Sequence, residues 1–105
     1  MKVVILEAAE ADLRELRRYI IKNFSTLTWQ ETFSKLKEAI RNLAAFPYLG
    51  AIPPELEALH LVQYRQLLSG KNRIIYEVRG EAVYVLIVAD MRRDMKSLLL
   101  QRLVR

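Results

Sequence analysis

Two rhythms divide this chain. Apolar residues recur at Ala9, Leu13, Leu16, Ile20 and Phe24, and again at Trp29, Phe33, Leu36, Ile40 and Leu43. Spacings of three and four put each set on one face of a helix. From residue 62 the apolar residues gather instead into short runs, 62–68, 73–78 and 83–89, cut by Ser69-Gly70-Lys71-Asn72 and Arg79-Gly80-Glu81. Residues 2–6, Lys-Val-Val-Ile-Leu, are β-branched and add a first strand. The run 83–89 is apolar on both faces, as a central strand covered on both sides must be. Met95, Leu98, Leu99, Arg102 and Leu103 return to helical spacing, so the chain closes with a helix beginning near Arg92. Helical stripes followed by strands define an α+β domain: an N-terminal helix hairpin on a small, mostly antiparallel sheet, plus a C-terminal helix.

The punctuation sets the expected boundaries. Thr28-Trp29-Gln30-Glu31 reads as a capping box that opens the second helix. Pro47 ends that helix, because the residue before a proline is pushed out of the α region. Fourteen residues, 47–60, then connect helix to sheet, with one helical turn expected at 55–59. Trp29 and Phe33 lie on the apolar stripe and read as core residues rather than as stacking platforms for bases. His60 reads as a partly exposed loop residue.

Composition narrows the chemistry. At 105 residues the chain is expected to be one domain, 1–105. A hydrophobic content of 52% with 3 Gly and 3 Pro excludes a disordered chain. With no cysteine, disulfides, thiolate metal sites and cysteine nucleophiles are excluded, and one histidine excludes a two-histidine site. No cofactor is expected. The longest apolar run, 82–89, falls far short of the ~18 residues of a membrane span. The opening apolar run stops at Glu7, which is too short for a signal peptide, so a cytoplasmic protein without a membrane partner is expected.

Charge is unevenly placed. Residues 1–62 are neutral and the whole net +5 lies in 63–105, which suggests a scaffold followed by a surface for an anionic target. Arg65, Arg73, Arg92 and Arg93 are the informative residues, because arginines on or beside strands carry a burial cost unless they meet solvent or carboxylates. Converged, they would form one cationic hollow able to bind phosphate. Convergence depends on register. Arg65 shares a face with Arg73 if it pairs opposite an odd-numbered residue, and faces away if it pairs opposite Tyr76. In the competing reading Glu77 and Asp94 neutralise Arg65 and Arg73.

The stretches Tyr64-Arg65-Gln66-Leu67, Asn72-Arg73-Ile74-Ile75-Tyr76-Glu77-Val78 and Val85-Leu86-Ile87-Val88-Ala89-Asp90-Met91-Arg92-Arg93-Asp94 together resemble the RelE/ParE toxin superfamily. Ala11-Asp12-Leu13 with Tyr19-Ile20 is similar to that family's first helix. Leu43-Ala44-Ala45-Phe46-Pro47-Tyr48-Leu49-Gly50 is similar to its Leu-x-x-x-Pro-x-x-Gly helix end. The resemblance implies the toxin of a type II toxin–antitoxin pair, bound and silenced as a hetero-oligomer by a cognate antitoxin. It also implies two N-terminal helices on a curved antiparallel sheet.

The family divides by mechanism. RelE-like members cut mRNA on the ribosome by 2′-hydroxyl attack on phosphate, whereas ParE-like members poison DNA gyrase through a protein contact. By resemblance Arg73 matches a phosphate-stabilising arginine of the ribonuclease branch, Arg93 with Arg92 beside it matches a second, and Arg65 stands where that branch places lysines. The tyrosine or histidine such enzymes carry near the chain end has no counterpart in residues 95–105. Arginine stabilises charge but does not shuttle protons, so proton transfer would fall to Asp90, Asp94 or Glu77, weak acids among arginines. The ParE-like reading is therefore favoured, with the ribonuclease as the alternative. A DNA-binding regulator is the weakest class, for no helix-turn-helix is recognisable.

Overall fold

A computed structural model describes residues 1–103. The elements run β1 (Lys2–Ile5), α1 (Glu7–Asn23), α2 (Thr26–Asn42), α3 (Pro54–Glu57), β2 (Tyr64–Ser69), β3 (Asn72–Arg79), β4 (Ala82–Asp90) and α4 (Met95–Leu103). The four strands form one sheet in the order β1-β4-β3-β2, with β1 parallel to β4 and the other pairs antiparallel. This is the expected α+β architecture.

The apolar stripes explain which faces meet. Ala9 of α1 and Leu36 and Ile40 of α2 are buried with Leu43 against Ile74, Tyr76, Val83, Val85 and Val88 of the sheet. On the opposite face Leu56 of α3 and Met95, Leu98 and Leu99 of α4 cover Tyr64, Ile75, Ile87 and Ala89. Each fully buried Leu or Ile contributes about 2 kcal/mol from its removal from water. β4 is apolar on both faces because it is central and covered on both sides. Trp29 is buried on the α2 stripe, with the Phe33 ring stacked 5.2 Å away.

Three boundaries of α2 and α4 differ from expectation. Ser25, not Thr28, caps α2: its extended backbone turns the chain out of α1 and its hydroxyl accepts the Thr28 N–H at 3.0 Å. The α2 helix closes at Asn42, short of Pro47. Ala45 and Phe46 N–H groups both turn back onto the Asn42 carbonyl, so the helix unwinds through turns before the proline is reached. The α4 helix starts at Met95, because Asp94 accepts the Ser97 N–H and hydroxyl and so fixes the N-terminal turn there. The single turn α3 falls where expected, and His60 is exposed in the following loop at φ 60.

Register is set by two tight turns and one irregularity. Gly70 and Gly80, at φ 58 and 61, each take the first central position of a two-residue hairpin turn, which L-residues rarely adopt. With no bulge in the first turn, Arg65 pairs opposite Tyr76. In the second hairpin the pairing slips between Ile75 and Tyr76: Tyr76 faces Val85 and Ile75 faces Ile87, leaving Leu86 over. This bulge reverses the parity of β4, so Val83 and Val85 face the hairpin helices before it and Val88 does so after it.

Candidate functional site

The register separates the arginines. Arg65 shares the helix-hairpin face with Tyr76, whereas Arg73 lies on the face covered by α3 and α4. Arg65 Nη1 donates to the Gly50 carbonyl at 2.7 Å, and its guanidinium lies 5.0 Å from the Tyr48 ring centre. The Gly50 N–H donates to the Tyr76 hydroxyl at 2.8 Å, and the Gln66 N–H to the Ala51 carbonyl at 2.9 Å. Arg65 thus straps the segment after α2 onto the outer edge of β2.

Arg73 is buried. Its Nε donates to Gln66 Oε1 at 2.7 Å and its Nη2 pairs with Glu55 of α3. The expected neutralising acids are engaged elsewhere: Glu77 pairs with Arg79, and Asp94 caps α4. The expected single hollow of Arg65, Arg73, Arg92 and Arg93 does not form, because a two-residue turn fixed the unfavourable parity. Since Glu55 is the counter-charge of a buried guanidinium, Glu55→Gln is expected to lower stability by about 1–2 kcal/mol in chemical denaturation. The partial exposure of Glu55 keeps the loss at the low end.

Arg92 and Arg93 do come together. They follow the end of β4 and line a cleft of about 550 Å³ between α1, the end of β4 and α4, with Tyr19, Asp12, Glu15 and Arg102 also on its walls. The local sequence forces them outward. Asp90 Oδ1 accepts the Arg92 N–H at 2.8 Å and its Nε at 2.9 Å, and the Asp90 carbonyl accepts the Arg93 N–H at 3.0 Å. Both acids of Asp90-Met91-Arg92-Arg93-Asp94 are therefore spent on backbone turns. Arg92 stays 84% exposed despite its pairing, and Arg93 makes no ion pair among the described residues. The hydrogen bonds from the side chain and then the backbone of Arg92 hold the Asp90 carboxyl below the usual carboxylate range, and those from Ser97 do the same for Asp94.

Arg92, Arg93 and Arg102 share the cleft with Asp12, Glu15, Asp90 and Tyr19. Tyr64 and Tyr76 lie in the sheet, where burial pushes both hydroxyls up, and Tyr76 is already bound to Gly50. His60 is in the loop after α3 and is not among the cleft residues. Carboxyls held ionised, as Asp90 and Asp94 are, make poor acids. Arg92 and Arg93 can meet an anionic surface, and no histidine lies among the cleft residues to act as acid and base near neutral pH.

One pair of cleft residues was hidden in the sequence. Asp12 and Arg102, ninety positions apart, are joined at 2.5 Å. The only signal was Arg102 standing in an apolar helical stripe, where a charge needs a partner.

The fold thus sets two helices on one side of a four-stranded sheet and a short C-terminal helix on the other, with an arginine-lined cleft between α1, the end of β4 and α4. A family model described as the ParE toxin of the type II toxin–antitoxin system parDE matches residues 3–95. The chain belongs to that family and is the toxin of a type II pair, whose partner is an antitoxin. Among solved structures it is similar to a chain of the chromosomal ParDE toxin–antitoxin system from P. aeruginosa. The TM-score is 0.71 and the identity 15%, over 86% of this chain and 95% of that one, a likeness of fold. No curated protein matches. Among the described residues no helix is long and apolar enough to cross a membrane.

Proposed function

We propose that this toxin arrests growth in the cytoplasm by inhibiting DNA gyrase through a protein contact made at the cleft, with Arg92 and Arg93 meeting an acidic surface of the target. The observation that supports this reading is a pair of adjacent outward arginines whose neighbouring acids, Asp90 and Asp94, are held ionised by hydrogen bonds, in a cleft with no histidine among its lining residues. Protein association needs charge and shape, which the cleft has; RNA cleavage needs an acid and a base as well. The ribonuclease alternative also needs Arg73 at the scissile phosphate, and Arg73 is buried against Glu55 beneath α3. The antitoxin silences the toxin by forming a hetero-oligomer with it.

The test is expression without antitoxin, followed by transcript mapping and a supercoiling assay with purified gyrase. DNA breaks, a damage response, uncut transcripts and inhibited supercoiling are expected. Codon-phased cuts in translated mRNA with normal supercoiling would replace the gyrase reading by the ribonuclease one.

A further inference from the structure

The strand β1 is shorter than its neighbour. It pairs with β4 only from Lys2 opposite Ala82 to Ile5 opposite Val85, and the last bond is from the Leu6 N–H to the Val85 carbonyl at 3.0 Å. Past that point β4 continues to Asp90 with no strand among the described residues on its outer side. An open strand edge is a template for unwanted pairing and leaves backbone groups without partners.

Two side chains occupy the gap. Arg102 Nη1 of α4 donates to the Leu86 carbonyl at 2.7 Å, and Asp12 Oδ2 of α1 accepts the Val88 N–H at 3.0 Å. Arg102 Nη2 donates to Asp12 Oδ1 at 2.5 Å and closes the circuit. A residue of a parallel strand opposite Ile87 would present the same set, one donor for the carbonyl before and one acceptor for the N–H after. Both side chains are largely enclosed, at 17% and 15% exposure. Both also line the cleft that Arg92 and Arg93 share.

We propose that Asp12 and Arg102 are positioning residues that together replace the missing continuation of β1. They close the edge of β4 from Leu86 to Val88 and tie α4 to α1, and so fix the width of the cleft. The pair matters as a donor–acceptor cap more than as two charges. Its effect on toxin action rests on the gyrase reading, whereas the cap itself does not.

Hydrogen exchange of the purified full chain separates a cap from a simple ion pair. The double variant Asp12→Asn/Arg102→citrulline, made by semisynthesis, has no charge but matches arginine in length and keeps an acceptor for Val88, a donor for Leu86 and a bond between the amide and the urea. Arg102→Lys keeps the charge but offers one nitrogen in place of the planar fork whose two nitrogens reach Leu86 and Asp12 separately. The Val88 amide and the Leu98 and Leu99 amides of α4 are expected to exchange within about 3-fold of wild type in the double variant and about 10-fold faster in Arg102→Lys. The Ile74 and Ile75 amides report global stability and should stay unchanged in both.

The opposite order, with Arg102→Lys protected and the double variant exposed, would overturn the cap in favour of an ion pair. An unprotected Val88 amide in the wild type would overturn it outright. If the double variant fails to fold, Asp12→Ala, which removes the acceptor, must expose Val88 while Ile74 and Ile75 stay protected, or the proposal fails. In the supercoiling assay Arg102→Lys should inhibit several-fold less than wild type. A wild type that leaves gyrase untouched would remove the gyrase reading and leave the exchange result standing.

Discussion

Gly50→Ala is expected to destabilise the protein by about 3 kcal/mol and to lower its melting temperature by roughly 15 °C. A Cβ at position 50 would lie 2.4 Å from the Gln66 carbonyl oxygen and 2.8 Å from the Tyr76 hydroxyl. The first is backbone in β2 and cannot swing aside. The segment must therefore lift, which breaks the bond from the Gly50 N–H to Tyr76 and the bond from Arg65 to the Gly50 carbonyl. The reason for glycine here is close approach rather than backbone conformation. Adding Tyr76→Phe to Gly50→Ala removes one clash and leaves the other, so it should recover only a small part of the loss. Thermal melts of the two variants beside wild type measure this, and a Gly50→Ala protein as stable as wild type would show that the strap over β2 is loose.

Arg92→Ala/Arg93→Ala is expected to reduce gyrase inhibition at least about 10-fold and to relieve growth arrest, with the melting temperature unchanged. Neither side chain supports the fold: Arg92 is highly exposed in its pairing with Asp90, and Arg93 makes no ion pair among the described residues. The Asp90 N-terminal to them provides an internal control. Its carboxyl, held low by Arg92, should titrate closer to the ordinary carboxylate value in the variant, which carbonyl NMR reads directly. A double variant that arrests growth as strongly as wild type would move the target contact away from this cleft.

The two arginine pairs show why position in a sequence is a poor guide to position in a site. Arg92 and Arg93 were legible because they are adjacent and follow the most apolar strand, so any fold must place them together at its end. Arg65 and Arg73 are equally conspicuous as letters. Whether they meet depends on counting residues through the Gly70-Lys71 turn, and that count put them on opposite faces. Arg73 then met Glu55, a residue of the long connection for which the sequence offered no contact.

The elements and their order were fixed by the sequence alone, because three-and-four spacing, β-branched runs and glycine turns act on neighbouring residues and need no knowledge of the rest of the chain. Only the tertiary structure decided which charges share a surface. The leftover residue Leu86 reverses the faces of β4, and Asp12 finds Arg102 across the open end of β1. Both outcomes follow from how strands end and align against distant partners, and long-range alignment is set by packing the whole core at once rather than by any local stretch of residues.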